Sequence, residues 1–511
     1  MKKPITRRDF LRLAGLFPLS IAAPGLVNAL PPVQSTDKPQ NILIVVFDAF
    51  SAYNISLYGY PRETTPNLAR LVERAIIYHR HYAGGNFTTP GTASILTGTL
   101  PWTHRAFGLG KNQVERPFVE KNLFSAFEGY YRQSYTHNPV ANKILTQFDG
   151  TTDEHIPLGR LFLTSDSSIE TLFGKDEDIA SVSWVRAIKN NEEGFAYSLF
   201  LSHLYREFRK KKVEALASQF PRGIPYIAGD NYFLLEDAIG WLQDNLGIVP
   251  QPFIGYFHFL PPHRPYNTRR DFYNLFRQDG YLPEQKPISA FSNHNEDYAT
   301  FLLKRRREYD EYILYVDKEF GSLFDALENS GLLENTWVVL TSDHGEMFER
   351  GILGHITPVL YEPVIRVPLI IFEPGRTRRL DIHTPTSAVD VLPTLLHLTG
   401  GPPANWSEGS LLPPYTDYAI TKSRDIFVVE AKKNDRQAPL TIATIALIKE
   451  GYKLMYLLGY DELGGEEHIE FYDVEADPEE TNDLSNSKRE TASEMLHKLK
   501  GKLAEVNEPY Q

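Results

Sequence analysis

Three apolar runs in this 511-residue chain stop at residues that bind cations or move protons. Asn41 to Phe47 ends at Asp48, Pro252 to Phe259 runs into His263 through Leu260-Pro261-Pro262, and Asn335 to Thr341 delivers Asp343-His344. A fourth stretch, Thr88-Thr89-Pro90-Gly91-Thr92-Ala93, reads as a helix entry, with hydroxyl residues where a cap belongs and an early proline that needs no amide donor. Carboxylate oxygen and imidazole nitrogen suit hard and borderline divalent cations, so Asp48, Asp343 and His344 form a ligand set with Thr88 as a fourth member. A threonine hydroxyl is a weak nucleophile unless a metal or base stabilises its alkoxide. At a helix N-terminus, unpaired amides and the dipole would also favour an oxyanion there. Each residue has a structural use by itself: Asp48 can cap a turn, Asp343 a helix after Gly345, and Thr88 a core helix. Their joint placement at strand ends favours chemistry.

The elements that must position these residues follow from the apolar pattern. Continuous apolar runs of strand length fit strands covered on both faces in a largely parallel sheet, whose ligands gather beyond the carboxyl ends. Arg366 to Phe372 is a further strand, Asn67 to Ala75 and Asp390 to Leu398 are helices, and Tyr309 to Ser330 carries apolar residues at helical spacing until Gly331. Residues from about 105 to 235 mix short helices and loops without a motif. The chain then changes character. Phe427 to Glu430, Pro439 to Lys449, Tyr452 to Leu458 and Ile469 to Val474 read as antiparallel strands with Glu450-Gly451 as a hairpin turn, followed by a polar helix from Arg489 to Val506. The expected organisation is a leader over 1–29, a polar linker over 30–40, a large α/β domain over 41–405 and a smaller α+β domain over 406–511.

The leader has Lys2 and Lys3, then Arg7-Arg8 before Phe10-Leu11, an apolar run to Val27, and a small residue at Ala29 for cleavage. Paired arginines in that setting read as a twin-arginine signal, which places the mature protein in the periplasm or outside the cell with the Tat machinery as a partner. Pro18 and Pro24 interrupt a run short for a membrane span, so no stable span is expected in the mature chain. Formal charge is −12, and losing the leader's five basic and one acidic side chains takes it to about −16. That acidity argues against nucleic acid as a partner. The chain has no cysteine.

Five motifs together resemble the sulfatase family of the alkaline phosphatase superfamily: Asp48 after its apolar strand, Thr88-Thr89-Pro90 with Leu96-Thr97-Gly98, Leu260-Pro261-Pro262-His263-Arg264-Pro265, Ser342-Asp343-His344-Gly345-Glu346, and Tyr361 to Ile370. Phe471 to Leu484 is similar to the family's C-terminal signature. The resemblance implies an alkaline-phosphatase-like α/β fold with a large mixed sheet between helices, a smaller C-terminal sheet domain, and one divalent metal (manganese, zinc or calcium) beside a covalent nucleophile. A second metal is not expected, because no further Asp and His pair has the superfamily spacing.

Two departures bear on the reaction. Family sulfatases convert a cysteine, or in some a serine, to formylglycine; Thr88 holds that position here, and threonine is not a substrate for the modification. Thr92 and Ala49 replace an expected arginine and a second aspartate. The set instead resembles the phosphoryl-transferring branches, in which Thr88 would attack phosphorus while His263 or His355 holds an oxygen or protonates the leaving group. The expected activity is a metal-dependent ester hydrolase cleaving phosphate mono- or diesters of a small molecule, glycan or lipid. The alternatives are a phosphoethanolamine- or glycerophosphate-type phosphotransferase, a sulfuric ester hydrolase without formylglycine, and a non-catalytic binder of anionic glycan or lipid.

Overall fold

A computed structural model describes residues 39–109, 113–164, 197–227, 231–292, 296–417 and 423–511. The leader expected over 1–29 lies outside the described residues. The strands in chain order are β1 (Asn41–Phe47), β2 (Ile76–Tyr82), β3 (Tyr131–Thr136), β4 (Glu154–His155), β5 (Phe253–Phe259), β6 (Thr336–Thr341), β7 (Phe348–Glu349) and β8 (Ile352–Leu353). They continue with β9 (Arg366–Phe372), β10 (Leu380–Ile382), β11 (Thr386–Ser387), β12 (Ile426–Glu430), β13 (Ala443–Lys449), β14 (Tyr452–Leu458) and β15 (His468–Asp473). The large sheet runs β10-β2-β9-β6-β1-β5-β3-β4, with β11 beside β2. It is mixed: β1 is parallel to β5 and β6, whereas β9 is antiparallel to β6 and β2.

β1 is buried at every position because both of its faces are covered. Leu43, Val45 and Phe47 join one core with Tyr312, Ile313, Val316 and Phe320 of the helix Glu296–Asn329. Ile42, Ile44 and Val46 join the other with Ala93, Ile95 and Leu96 of the helix Thr88–Thr97 and with the helix Val391–Leu398. The strand register then levels the ends. Val46 stands opposite both His258 of β5 and Thr341 of β6, so the next residues, Asp48 and Asp343, leave the sheet at the same edge.

The structure departs from the sequence reading in several places: a 20-residue helix, Tyr197–Leu216, lies in the stretch read as short helices and loops, the helix read from Tyr309 starts at Glu296, the strand read from Pro439 starts at Ala443, and three further departures lie nearer the site. Asn67 to Ala75 is not one helix: a short helix Pro66–Leu71 and one tight turn lead into β2, a strand that the reading omitted. Its sequence, IIYHRHY, mixes charged residues among apolar ones and carries a bulge between Tyr78 and His81, which hides the strand pattern. β3 was likewise missed, as its polar sequence YRQSYT gives no apolar run. No helix follows Gly345; the chain enters the β7–β8 hairpin instead.

The C-terminal sheet has the order β12-β13-β14-β15, antiparallel throughout, and its β13–β14 turn places Glu450 and Gly451 at φ 49° and 85°. One face packs on Ala492, Met495 and Leu499 of the helix Arg489–Asn507, and the other on Val359, Leu360 and Val364 of the large domain. Burial on both faces explains why these strands are apolar at successive positions rather than alternating.

Candidate active site

Asp48, Asp343, His344 and His258 converge where β1, β6 and β5 end, and all four are fully buried. His258 Nε2 is 3.4 Å from Asp48 Oδ2 and 3.7 Å from Asp343 Oδ2. His344 Nε2 reaches the same two carboxylates, 3.3 Å from Asp48 Oδ1 and 3.6 Å from Asp343 Oδ2. The carboxylate pair thus sits between two imidazoles. His344 Nδ1 donates to the Gly345 carbonyl at 2.9 Å, which turns Nε2 toward the carboxylates.

Thr88 is the first residue of its helix and not its cap, because Phe87 occupies the capping position in extended conformation with φ −153°. Its hydroxyl is therefore free of capping. Thr88 Oγ1 lies 3.3 Å from His344 Nε2 and accepts a hydrogen bond from Asn138 Nδ2 at 3.3 Å. The helix can come this close because residue 91 is glycine: a Cβ there would stand 2.1 Å from the Asp343 carbonyl oxygen. Asn138 also donates to Asp48 Oδ2 at 2.5 Å, while its Oδ1 accepts from Val140 N at 2.7 Å and caps the helix Pro139–Leu145.

The electrostatics are those of a site short of positive charge. Burial works against the Asp48 carboxylate, yet His263, His258 and His344 outweigh it and hold Asp48 well below the usual range. Asp343 goes the other way, raised by burial and by the charge on Asp48. Burial opposes a proton on His344, but Asp343 and Asp48 prevail and push it up to about 9. Asp48 Oδ1, Asp343 Oδ2 and His258 Nε2 have no hydrogen-bond partner, although such buried atoms are costly to leave unmatched. One ligand atom each from Asp48, His258 and Asp343 lies within 4.8 Å of the others. Two carboxylates and an imidazole with orphaned acceptor atoms fit a divalent cation, and the extra proton on His344 is the charge that such a cation would replace.

His355 and His263 complete the polar floor. The His355 ring lies 4.2 Å from the His344 ring and 5.0 Å from that of His263, centroid to centroid. Glu346, fully buried, has both carboxylate oxygens 3.3 Å from His355 Nδ1. His263 Nδ1 donates to the Arg264 carbonyl at 2.7 Å. Burial lowers the pKa of both imidazoles, at His263 against the opposing pull of the Asp48 carboxylate. Thr88, Asn138, His263, Arg264 and His355 line one cleft of about 290 Å³. A larger surface cleft of about 780 Å³, between Arg80, His383 and Glu450, includes none of them.

All six sequence candidates, Asp48, Thr88, His263, Asp343, His344 and His355, thus fall in one cluster. Three partners were missed. His258 was visible only as a histidine inside an otherwise apolar strand, Asn138 as an Asn-Pro helix start, and Glu346 as part of a motif without a role.

Comparison with known proteins gives the family and the fold. The sulfatase family model, described as "Sulfatase", matches residues 40–401. A choline-sulfatase of Rhizobium meliloti (strain 1021) is 26% identical over 477 residues, covering 89% of this chain and 84% of the relative. Among solved structures, a phosphonate monoester hydrolase of Agrobacterium radiobacter has a TM-score of 0.64 at 19% identity, covering 91% of this chain and 96% of that one. A 2-O GAG sulfatase has a TM-score of 0.61 at 17% identity, covering 93% and 94%. These structures share the fold. With its family model spanning residues 40–401 and the strand-end cluster inside that span, the chain belongs to the sulfatase family of the alkaline phosphatase superfamily, a family of ester hydrolases.

Proposed function

We propose that this protein hydrolyses phosphate mono- or diesters through a covalent phospho-Thr88. The observation that carries the reading is the Thr88 hydroxyl at 3.3 Å from His344 Nε2, in a chain with no cysteine for formylglycine. Asp48, Asp343 and His344, with the Thr88 oxygen, would hold one divalent cation, and His258 would close the carboxylate pair from its other side. When bound, that cation supplies positive charge that favours the ionised hydroxyl and the ester's anionic oxygens.

Asn138 donates to the Thr88 oxygen, so it favours the ionised form and fixes its direction. The helix Thr88–Thr97 begins at this residue, so the positive end of its dipole lies at the same place. Thr88 Oγ1 attacks phosphorus, and the bond from phosphorus to the departing alcohol breaks. His263 or His355, both lining the cleft, takes up the proton that the Thr88 hydroxyl gives up and passes it to that alcohol. Water then attacks phospho-Thr88, releases phosphate and restores the hydroxyl. Sulfuric ester cleavage is the second reading, favoured by the choline-sulfatase relative.

A panel of aryl phosphate monoesters, diesters and sulfates, assayed with added manganese, zinc or calcium, separates the two. Preference for sulfate would overturn the phosphorus assignment. Thr88→Ala should lower turnover at least about a thousandfold, as loss of a covalent nucleophile does. Acid-quenched turnover should show phosphate on Thr88 by mass spectrometry, and a fully active Thr88→Ala would remove it from the reaction. Export through the twin-arginine route belongs to the same proposal; replacing Arg7 and Arg8 with lysine should retain the protein inside the cell, and unchanged export would refute it.

A further inference from the structure

We propose that the cleft beside Thr88 is an apolar subsite for the alcohol half of the ester, selecting an aromatic or short alkyl group over a sugar. The inference rests on Thr88 as the point of attack. Thr88, Asn138, His263 and His355 are the polar groups that the reacting oxyanion would engage. Apart from Thr89 and Arg264, the rest of the described lining is apolar, chiefly Leu109, Val140, Ile227 and Ile356.

Two of these are unusual in their exposure. Leu109 is 55% and Ile356 45% solvent-exposed, although large aliphatic side chains at a cleft mouth lose free energy by facing water. Val140 and Ile227 are half-buried on the same lining. Among the described residues, no carboxylate lines this cleft, and Asn138 is its one carboxamide, already committed to Asp48, Thr88 and Val140 N. A sugar needs such groups to meet its hydroxyls, and an apolar wall leaves them unpaired. Size points the same way. About 290 Å³ is at the lower end for small-molecule sites and holds about one ring beside the reacting group, not a run of sugars.

The anchoring of Ile356 explains how one side of the wall is held. Ile356 follows His355, whose carbonyl accepts from Asn86 Nδ2 at 2.8 Å, as does that of Thr357 at 2.7 Å. Asn86 stands two residues before Thr88, so the nucleophile and this side of the wall are tied to one support. An alcohol group lying against Ile356 is thereby registered against Thr88 Oγ1.

Calorimetric titration of the manganese-loaded full chain carrying Thr88→Ala, which leaves phosphate and sulfate esters intact, with matched anions tests the subsite. Phenylphosphonate should bind at least about tenfold tighter than methylphosphonate, and also tighter than glucose 6-phosphate. In the double variant Leu109→Ser, Ile356→Ser, the phenyl-to-methyl ratio should fall to within about twofold, a comparison made inside one protein. Equal affinity for phenyl and methyl compounds, or tighter binding of the sugar phosphate, overturns the proposal. Phenyl and methyl sulfate form a parallel pair. If only the sulfur series binds, the phosphorus assignment fails while the phenyl-to-methyl ratio still decides the subsite. Failure of both phenyl compounds to bind also overturns it.

Discussion

Asn138 Nδ2 stands 2.5 Å from Asp48 Oδ2, joining the end of β3 to the end of β1 across the intervening β5. The same amide reaches Thr88 Oγ1, so one side chain sets the spacing between a carboxylate and the hydroxyl proposed to attack. Its own rotamer is locked from behind by the bond that its Oδ1 accepts from Val140 N.

Asn138→Asp isolates that amide. The variant keeps an oxygen for Val140 N, so the helix cap survives, but it replaces a donor with a carboxylate facing Asp48. We expect kcat to fall about 10–100-fold, the usual loss when a group orienting a site is removed. Thermal melting should fall as well, because the new carboxylate faces buried Asp48, so kcat is compared well below the lowered midpoint. Steady-state kinetics with the melt alongside decide it, and an unchanged kcat would show that the amide does not align Thr88.

Cation dependence follows from the orphaned acceptors on Asp48, Asp343 and His258. Chelation should abolish turnover and lower the melting temperature, and one of manganese, zinc or calcium should restore both. At a cation concentration of about 100 Kd, the gain in stability is about 2.7 kcal/mol. His258→Ala should weaken cation affinity about 10–100-fold, read as a shift in the concentration that restores melting. If that concentration is the same as in the unaltered protein, His258 lies outside the cation site.

Two histidines remote from this chemistry predict sensitivity to acid. Burial holds His104 and His81 each at about 3, so both are neutral in the folded chain, whereas unfolding returns them to the ordinary value of 6.5. Their contribution is complete above pH 6.5 and is lost progressively as pH falls toward 3. Asp317, which burial raises to about 6, acts in the opposite sense over part of that window. The useful measurement is therefore a difference. His104→Gln can retain an acceptor for Ala106 N and a donor for Ser94, and its urea midpoint should fall less steeply from pH 7.5 to 5. A slope identical to that of the unaltered protein would exclude His104 as a source.

The two sheets are fastened by a buried ion cluster. Lys453 of β14, fully buried, pairs with Glu480 and lies 3.2 Å from Glu362 Oε1, while its ammonium donates to the Leu360 carbonyl at 3.0 Å. Lys453→Met leaves two buried carboxylates without their cation and should cost about 3–5 kcal/mol. Adding Glu480→Gln should recover part of that loss. Chemical denaturation checks both, and a double variant less stable than the single one would contradict this account of the cluster.

The sequence by itself determined the strands of the central sheet and the residues that end them. β1, β5, β6 and β9 are covered on both faces, so they are largely apolar, and the polar residues at which they stop stand out in the sequence by contrast. Asp48, Asp343 and His344 could be read this way, as could Thr88 from the local grammar of a helix start. Only the tertiary structure decided what surrounds them. His258 acts through the β1–β5 register, which puts it level with Val46; Asn138 acts through β3, whose polar residues mask the strand; and Glu346 acts through a hairpin that returns His355 to it. Such roles depend on distances between segments about 90 to 210 residues apart or on the path of a turn, and no local pattern of residue types encodes either.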